Sequence, residues 1–89
     1  MVNLSLINWL RDGEYRIKTL RLLKSSPDIP TNLSRKLAIH KSSLSRILSN
    51  LHEKRLIEKV TSDSRTITYK VSNLGEEMLK EFDKKNGGK

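Results

Sequence analysis

The stretch from Leu33 to Ile57, LSRKLAIHKSSLSRILSNLHEKRLI, constrains the fold more than any other part of the chain. Counted at 100° per residue, Leu44, Ile47, Leu48 and Leu51 cluster on one side of a helix that starts near Ser42 or Ser43, both good caps. The opposite side carries Ser42, Arg46, Ser49, Asn50 and Glu53. A shorter helix precedes it, opening at Pro30-Thr31 with Thr31 as the predicted N-cap. Its Leu33 and Leu37 face inward, and Ile39 follows in a tight turn. After the longer helix the hydrophobic period changes from about 3.6 to about 2. Ile67, Tyr69 and Val71 alternate with Thr66, Thr68 and Lys70, the pattern of a half-buried strand rich in β-branched residues. Ile57 to Thr61 reads as its antiparallel partner, with the polar run Ser62-Asp63-Ser64-Arg65 as the turn.

The flanking segments complete a mainly helical chain. Leu4, Leu6, Ile7, Trp9 and Leu10 occupy most of a helical circumference, so a helix over Leu4–Leu10 needs burial on more than one side. That burial can come from the chain's own core or from a second copy. From Glu14 to Lys24, Ile17, Leu20 and Leu23 share one arc, while Arg16, Lys18, Arg21 and Lys24 face solvent. Tyr15 and Leu22 fall on another side, suited to contact with the first segment, and Ser25-Ser26-Pro27 ends the helix. A last helix after Ser72 sets Leu74, Met78, Leu79 and Phe82 on one stripe, opposite Glu76, Glu77, Lys80, Glu81 and Asp83. The expected fold class is α+β, mainly α: a winged helix-turn-helix, with a three-helix core, a β-hairpin wing and a C-terminal helix. A single domain is expected over residues 1–85, with residues 86–89, the end of KKNGGK, as a disordered tail.

Composition narrows the functional classes. A chain of 89 residues with 35% apolar content supports one small, aliphatic core, to which an oligomer sharing apolar surface would add stability. A net charge of +8 favours a polyanionic partner, either nucleic acid or an anionic membrane surface. The absence of cysteine removes disulfides, thiolate nucleophiles and soft-metal sites together. No apolar run approaches the roughly 18 residues of a membrane span. MVNLSLINWLRDGE lacks a basic leader and a small-residue cleavage site, so a cytoplasmic, nucleoid-associated protein without a membrane partner is expected.

If Leu33–Ile57 is a helix-turn-helix, the first turns of its second helix are built to enter a DNA major groove, where base edges present distinct donor and acceptor patterns. Arg46 is the candidate for base readout, since its fork can bond both guanine acceptors, and Asn50, one turn on, can pair with adenine or reach a phosphate. Ser42, Ser43, Ser45 and Ser49 are small enough to let the backbone approach and can donate to bases or phosphates. Arg35, Lys36 and Lys41 surround this face as candidate phosphate contacts. The bland alternative is an ordinary solvated face with Ser42 or Ser43 merely capping. On the hairpin loop, Arg65 is suited to a narrow minor groove, with Asp63 able to brace it through a charge-assisted bond. His40 and His52, twelve residues apart on separate elements, read as surface or capping residues, so no metal or other cofactor is expected. No Gly-rich phosphate loop, HExxH, CxxC or Ser-His-Asp arrangement stands out, which argues against an enzyme.

LSRKLAIHKSSLSRILSNLHEKRLIEK, then DSR, then YKVSNLGEEMLKEF, resembles winged-helix transcriptional regulators of the MarR and ArsR type. The resemblance covers roughly residues 16–82. It implies a hydroxyl-rich recognition helix, an Asp-x-Arg wing tip matched by Asp63 and Arg65, and a Leu-Thr-x-x-Gly helix start at Val71, Ser72 and Gly75. Two departures stand out. The family often has Gly where this chain has Arg55, so the exit from the recognition helix is expected to differ. The chain is also shorter than most MarR relatives, which argues against an effector pocket between long dimerisation helices.

The leading expectation is a sequence-specific double-stranded DNA-binding regulator acting as a homodimer on a palindromic site. Its dimer interface would combine Leu6, Trp9 and Leu10 with Met78 and Phe82. The alternatives are a winged-helix protein-interaction module, which the basic, hydroxylated helix face disfavours, and a sequence-independent chromatin or RNA binder.

Overall fold

The computed structural model describes residues 4–60 and 67–85. In chain order they form α1 (Leu4–Arg11), α2 (Glu14–Ser25), α3 (Pro30–Leu37), α4 (Lys41–Glu53), β1 (Ile57–Val60), β2 (Thr68–Val71) and α5 (Asn73–Lys85). The mainly helical winged arrangement expected from the periodicities is the one observed. Asp63 and Arg65, like Thr61 and the tail 86–89, lie outside the described residues.

The helices form where the apolar spacing and local chemistry agree. α2 begins with Glu14 and ends near Lys24, charges that match the two ends of its dipole, and Glu14 pairs with Lys18 one turn on at 2.8 Å. Ile7 and Leu10 of α1, Ile17, Leu20 and Leu23 of α2, Leu33 of α3, and Leu44, Leu48 and Leu51 of α4 are all buried. Leu56, Ile57, Met78 and Leu79 complete the same core. Fully burying one such aliphatic side chain contributes about 1.5–3 kcal/mol, so this cluster is the main source of stability. Thr19, wholly buried beside it, donates its hydroxyl to Tyr15 O at 2.6 Å, which removes the penalty of an unpaired polar group.

β1 and β2 pair antiparallel, Ile57 opposite Val71 and Val60 opposite Thr68. Asp28 adds a single bridge on the far side of β2, exchanging both backbone bonds with Tyr69 at 2.8 and 3.0 Å. The hairpin is therefore tied to the segment that leads into α3.

Two starting points differ from the sequence expectation. α3 begins at Pro30, with Ile29 and not Thr31 at the N-cap. Proline's preset φ and missing N–H suit the first helical position, and the Asp28 carboxylate accepts the Ile29 N–H at 2.8 Å in place of a cap side chain. α4 begins at Lys41 with His40 at the N-cap and no side-chain cap bond, so Ser42 and Ser43 lie inside the first turn and do not cap. In β2, Tyr69 and Val71 are half-buried as expected, whereas Ile67, just before the strand, is exposed.

Candidate nucleic-acid interface

The outer face of α4 is built by what its inner face buries. Leu44, Leu48 and Leu51 are 0–3% exposed, with Ile47 partly buried beside them. That fixes the rotation of the helix and turns Ser42, Ser43, Ser45, Arg46, Ser49 and Asn50 outward, all of them exposed. Lys41 and Arg35 are exposed at the near edge of this face. Glu53 is exposed at the opposite end.

Both ends of α4 are set by residues in the left-handed region. At the turn between α3 and α4, Ala38 has φ 57°. Its N–H bonds to Arg35 O at 3.1 Å, and the Ile39 N–H bonds to Ser34 O at 3.1 Å. These two bonds form a Schellman closure and set the direction in which α4 leaves the turn. At the exit, Arg55 has φ 65°, with the Arg55 N–H on His52 O at 2.9 Å and the Leu56 N–H on Leu51 O at 3.0 Å. The chain therefore keeps a glycine-type exit despite the arginine, and the expectation that this exit would differ is corrected. An L-residue adopts the conformation here because the two closing bonds and the fully buried Leu56 hold it there.

The same exit is clasped by the start of α5. Ser72 Oγ donates to Arg55 O at 2.7 Å and accepts the Gly75 N–H at 3.0 Å, while the Ser72 N–H bonds to Leu56 O at 3.0 Å. A Cβ on Gly75 would overlap Leu56 O and come within 2.6 Å of Val71 Cγ2. The Ser-x-x-Gly spacing thus works as a joint between recognition helix, hairpin and α5.

Electrostatically, α4's outer face is left unneutralised. The ion pairs among the described residues are Glu14–Lys18, Arg21–Asp83, Asp28–Lys36 and Glu58–Lys70, and none of them involves Arg35, Lys41 or Arg46. Lys36, expected as a phosphate contact, is instead bonded to Asp28 Oδ2 at 2.9 Å. Burial alone would raise the Asp28 carboxyl, but the bonds from Lys36, Asn32 and the Ile29 backbone outweigh it and leave the group below its ordinary value. Across the molecule, Arg21 forks onto Asp83 at 2.5 and 3.3 Å and holds that carboxyl below the usual range as well.

The five residues expected at a dimer interface divide. Leu10 and Met78 are 0% and 1% exposed within the chain's own core, so they are covered without a second copy and the expectation for these two is corrected. Leu6, Trp9 and Phe82 are partly buried against that core. The Trp9 ring is approached by the Arg16 guanidinium, 4.1 Å from the ring centroid, and by Lys54 Nζ at 5.4 Å, and Arg16 also donates to Trp9 O. His40 sits at the N-cap of α4 and His52 is exposed in its last turn; among the described residues no group of three His, Cys, Asp or Glu could hold a metal ion. No helix among the described residues is long and apolar enough to cross a membrane.

A two-helix unit with a buried-leucine second helix, a following hairpin and a capping α5 defines a winged helix-turn-helix. Solved structures of the same fold include a repressor and a transcriptional regulator. The multiple antibiotic resistance repressor MarR superposes with a TM-score of 0.78 at 20% identity, covering 94% of this chain and 66% of that one. A MarR variant from E. coli solved with operator DNA gives 0.77 at 20% identity, over 88% of this chain and 58% of that one. Streptococcus pneumoniae FabT, solved in complex with DNA, gives 0.71 at 22% identity, over 83% and 54%. This chain thus spans between 54% and 66% of the length of these three, and at such identities the likeness concerns the fold. No family model matches the sequence, and no curated protein matches it.

Sequence reasoning missed Asp28 and the full role of Ser72. Asp28 between two prolines carries a turn signal, but its partner Tyr69 is 41 positions away, beyond any local pattern.

Proposed function

We propose that this chain is a sequence-specific double-stranded DNA-binding transcriptional regulator. The observation that carries the reading is the exposed, unpaired Ser42–Ser43–Ser45–Arg46–Ser49–Asn50 face of α4, flanked by Lys41 and Arg35, in a chain of net charge +8. The first turns of α4 enter the major groove, Arg46 reads a guanine edge, and the serines allow close approach. The hairpin follows the flanking backbone, with Arg65, named from the sequence, as the minor-groove residue. Two solved neighbours of the same fold carry DNA in their crystals, which adds support. A homodimer would place two copies of α4 on half-sites about one helical turn apart, roughly 34–36 Å. Leu6, Trp9 and Phe82, partly buried within the chain, are the residues such an assembly would cover further.

Selection of bound duplexes from a random pool, followed by titration of the selected site and of random duplex at two salt concentrations, tests the reading. A large preference for the selected site supports it; salt-steep binding without preference favours sequence-independent binding. Arg46→Ala is expected to cost about 1–3 kcal/mol on the selected site and to relax preference at one position, while Lys41→Ala weakens all sequences alike. Undiminished, equally selective binding by Arg46→Ala would refute the assignment of α4. Sizing of the isolated protein tests the dimer.

A further inference from the structure

Lys36 lies beside the α4 face and has the charge of a phosphate ligand, yet its surroundings give it another task. Asp28 Oδ1 accepts the Ile29 N–H at 2.8 Å and Asn32 Nδ2 at 2.9 Å; Oδ2 accepts Lys36 Nζ at 2.9 Å. All three donors come from the N-cap and first two turns of α3. The Asp28 side chain is only 12% exposed, against 52% for Lys36. The backbone of the same aspartate carries the two-way bridge to Tyr69 of β2. One residue therefore bonds the hairpin through its main chain and the first helix of the helix-turn-helix through its side chain.

We propose that Asp28 and Lys36 form the joint that sets the hairpin against α3, and that Lys36 is a positioning residue, not a phosphate ligand. If Lys36 swung out to a DNA phosphate, a nearly covered carboxylate would keep only neutral donors while facing the phosphate's own negative charge. Both effects hold the ammonium on Asp28. Because the Ala38 closure fixes α4 on α3, the pair thereby bears on the angle between α4 and the hairpin, the elements that the DNA reading assigns to two adjacent grooves. The inference rests on that reading for its effect on binding, and on the free protein for its structural content.

The two roles predict opposite signs. For a positioning pair, Asp28→Asn and Lys36→Ala each weaken binding to the selected duplex roughly threefold, and the double variant is no weaker than either single one. The slope of log K against log salt stays at the wild-type value in Lys36→Ala, whereas removing a true phosphate contact such as Lys41 lowers it by about 0.9. For a phosphate ligand restrained by Asp28, Asp28→Asn would instead tighten binding, and Lys36→Ala would lower the slope; either result overturns the proposal. Amide hydrogen exchange on the DNA-free protein is the second measurement. Faster exchange at the Tyr69 amide in both variants, with the core amide of Leu20 unchanged, supports the joint, and unchanged Tyr69 protection overturns it. Absence of DNA binding by the wild type would sink the DNA reading and leave this exchange test standing.

Discussion

Gly75→Ala separates tertiary from local reasoning, because the two give opposite signs. Judged by helix propensity, replacing a helical glycine with alanine stabilises by about 0.5–1 kcal/mol, chiefly by reducing the freedom of the unfolded chain. In the folded chain, however, the new Cβ would overlap Leu56 O and approach Val71 Cγ2 to 2.6 Å. The valine methyl can rotate away, but the carbonyl cannot yield freely. It accepts the Ser72 N–H at 3.0 Å and belongs to the residue that closes the exit of α4. The first turn of α5 must move, at an overpacking cost of about 1–3 kcal/mol. The movement also loosens the Ser72–Leu56 and Gly75–Ser72 bonds, each worth about 1 kcal/mol. Net destabilisation of about 1.5–3 kcal/mol follows, a large share of the roughly 4–13 kcal/mol expected for a domain of this size. Urea unfolding at pH 7 reads it directly: the midpoint falls by about 1.5–3 M while the slope, near 1 kcal/mol/M, is unchanged. A midpoint equal to or above the wild type would refute the close approach of α5 to Leu56.

Ala38→Gly and Arg55→Gly should each stabilise by about 0.5–1 kcal/mol in the same assay, since φ 57° and 65° cost an L-residue more than glycine's extra unfolded freedom; a loss of stability in both would contradict the left-handed closures of α4. The pH dependence follows from the Asp83 and Asp28 carboxyls, the first held low by Arg21 and the second, despite its burial, by the bonds from Lys36, Asn32 and the Ile29 backbone. A depressed folded-state value contributes stability that is present above the unfolded value, about 4, and is lost as the pH falls through the folded one. Thermal melts should therefore be flat on this account from about pH 5 upward and decline below about pH 4, and Asp28→Asn should shrink the decline; an undiminished decline in that variant would exclude Asp28 as a contributor.

The helices, the hairpin and the outward face of α4 were legible in the residues because each follows from a local period. Spacing of 3.6 puts Leu44, Leu48 and Leu51 on one side and Arg46 and Asn50 on the other whatever else the chain does. The wing pair Asp63 and Arg65 was legible only as a motif, and its residues lie outside those described. Where α3 and α4 begin differs from the hydroxyl-based expectation, because Ile29 and His40 hold the N-cap positions without a side-chain cap bond and Pro30 is preset for the first position of α3.

Local periodicity sets which elements form and which face of α4 stays polar, since both depend on neighbours within a turn or two. How the elements are joined is settled only in the folded chain. Leu10 and Met78 entered the chain's own core, Lys36 was drawn onto Asp28, and Arg55 accepted a glycine's conformation beneath Ser72. Ser72 lies 17 positions from Arg55, and Asp28 lies eight from Lys36 and outside α3, so neither contact repeats with a helical or strand period and its energy enters only once folding has brought the two together.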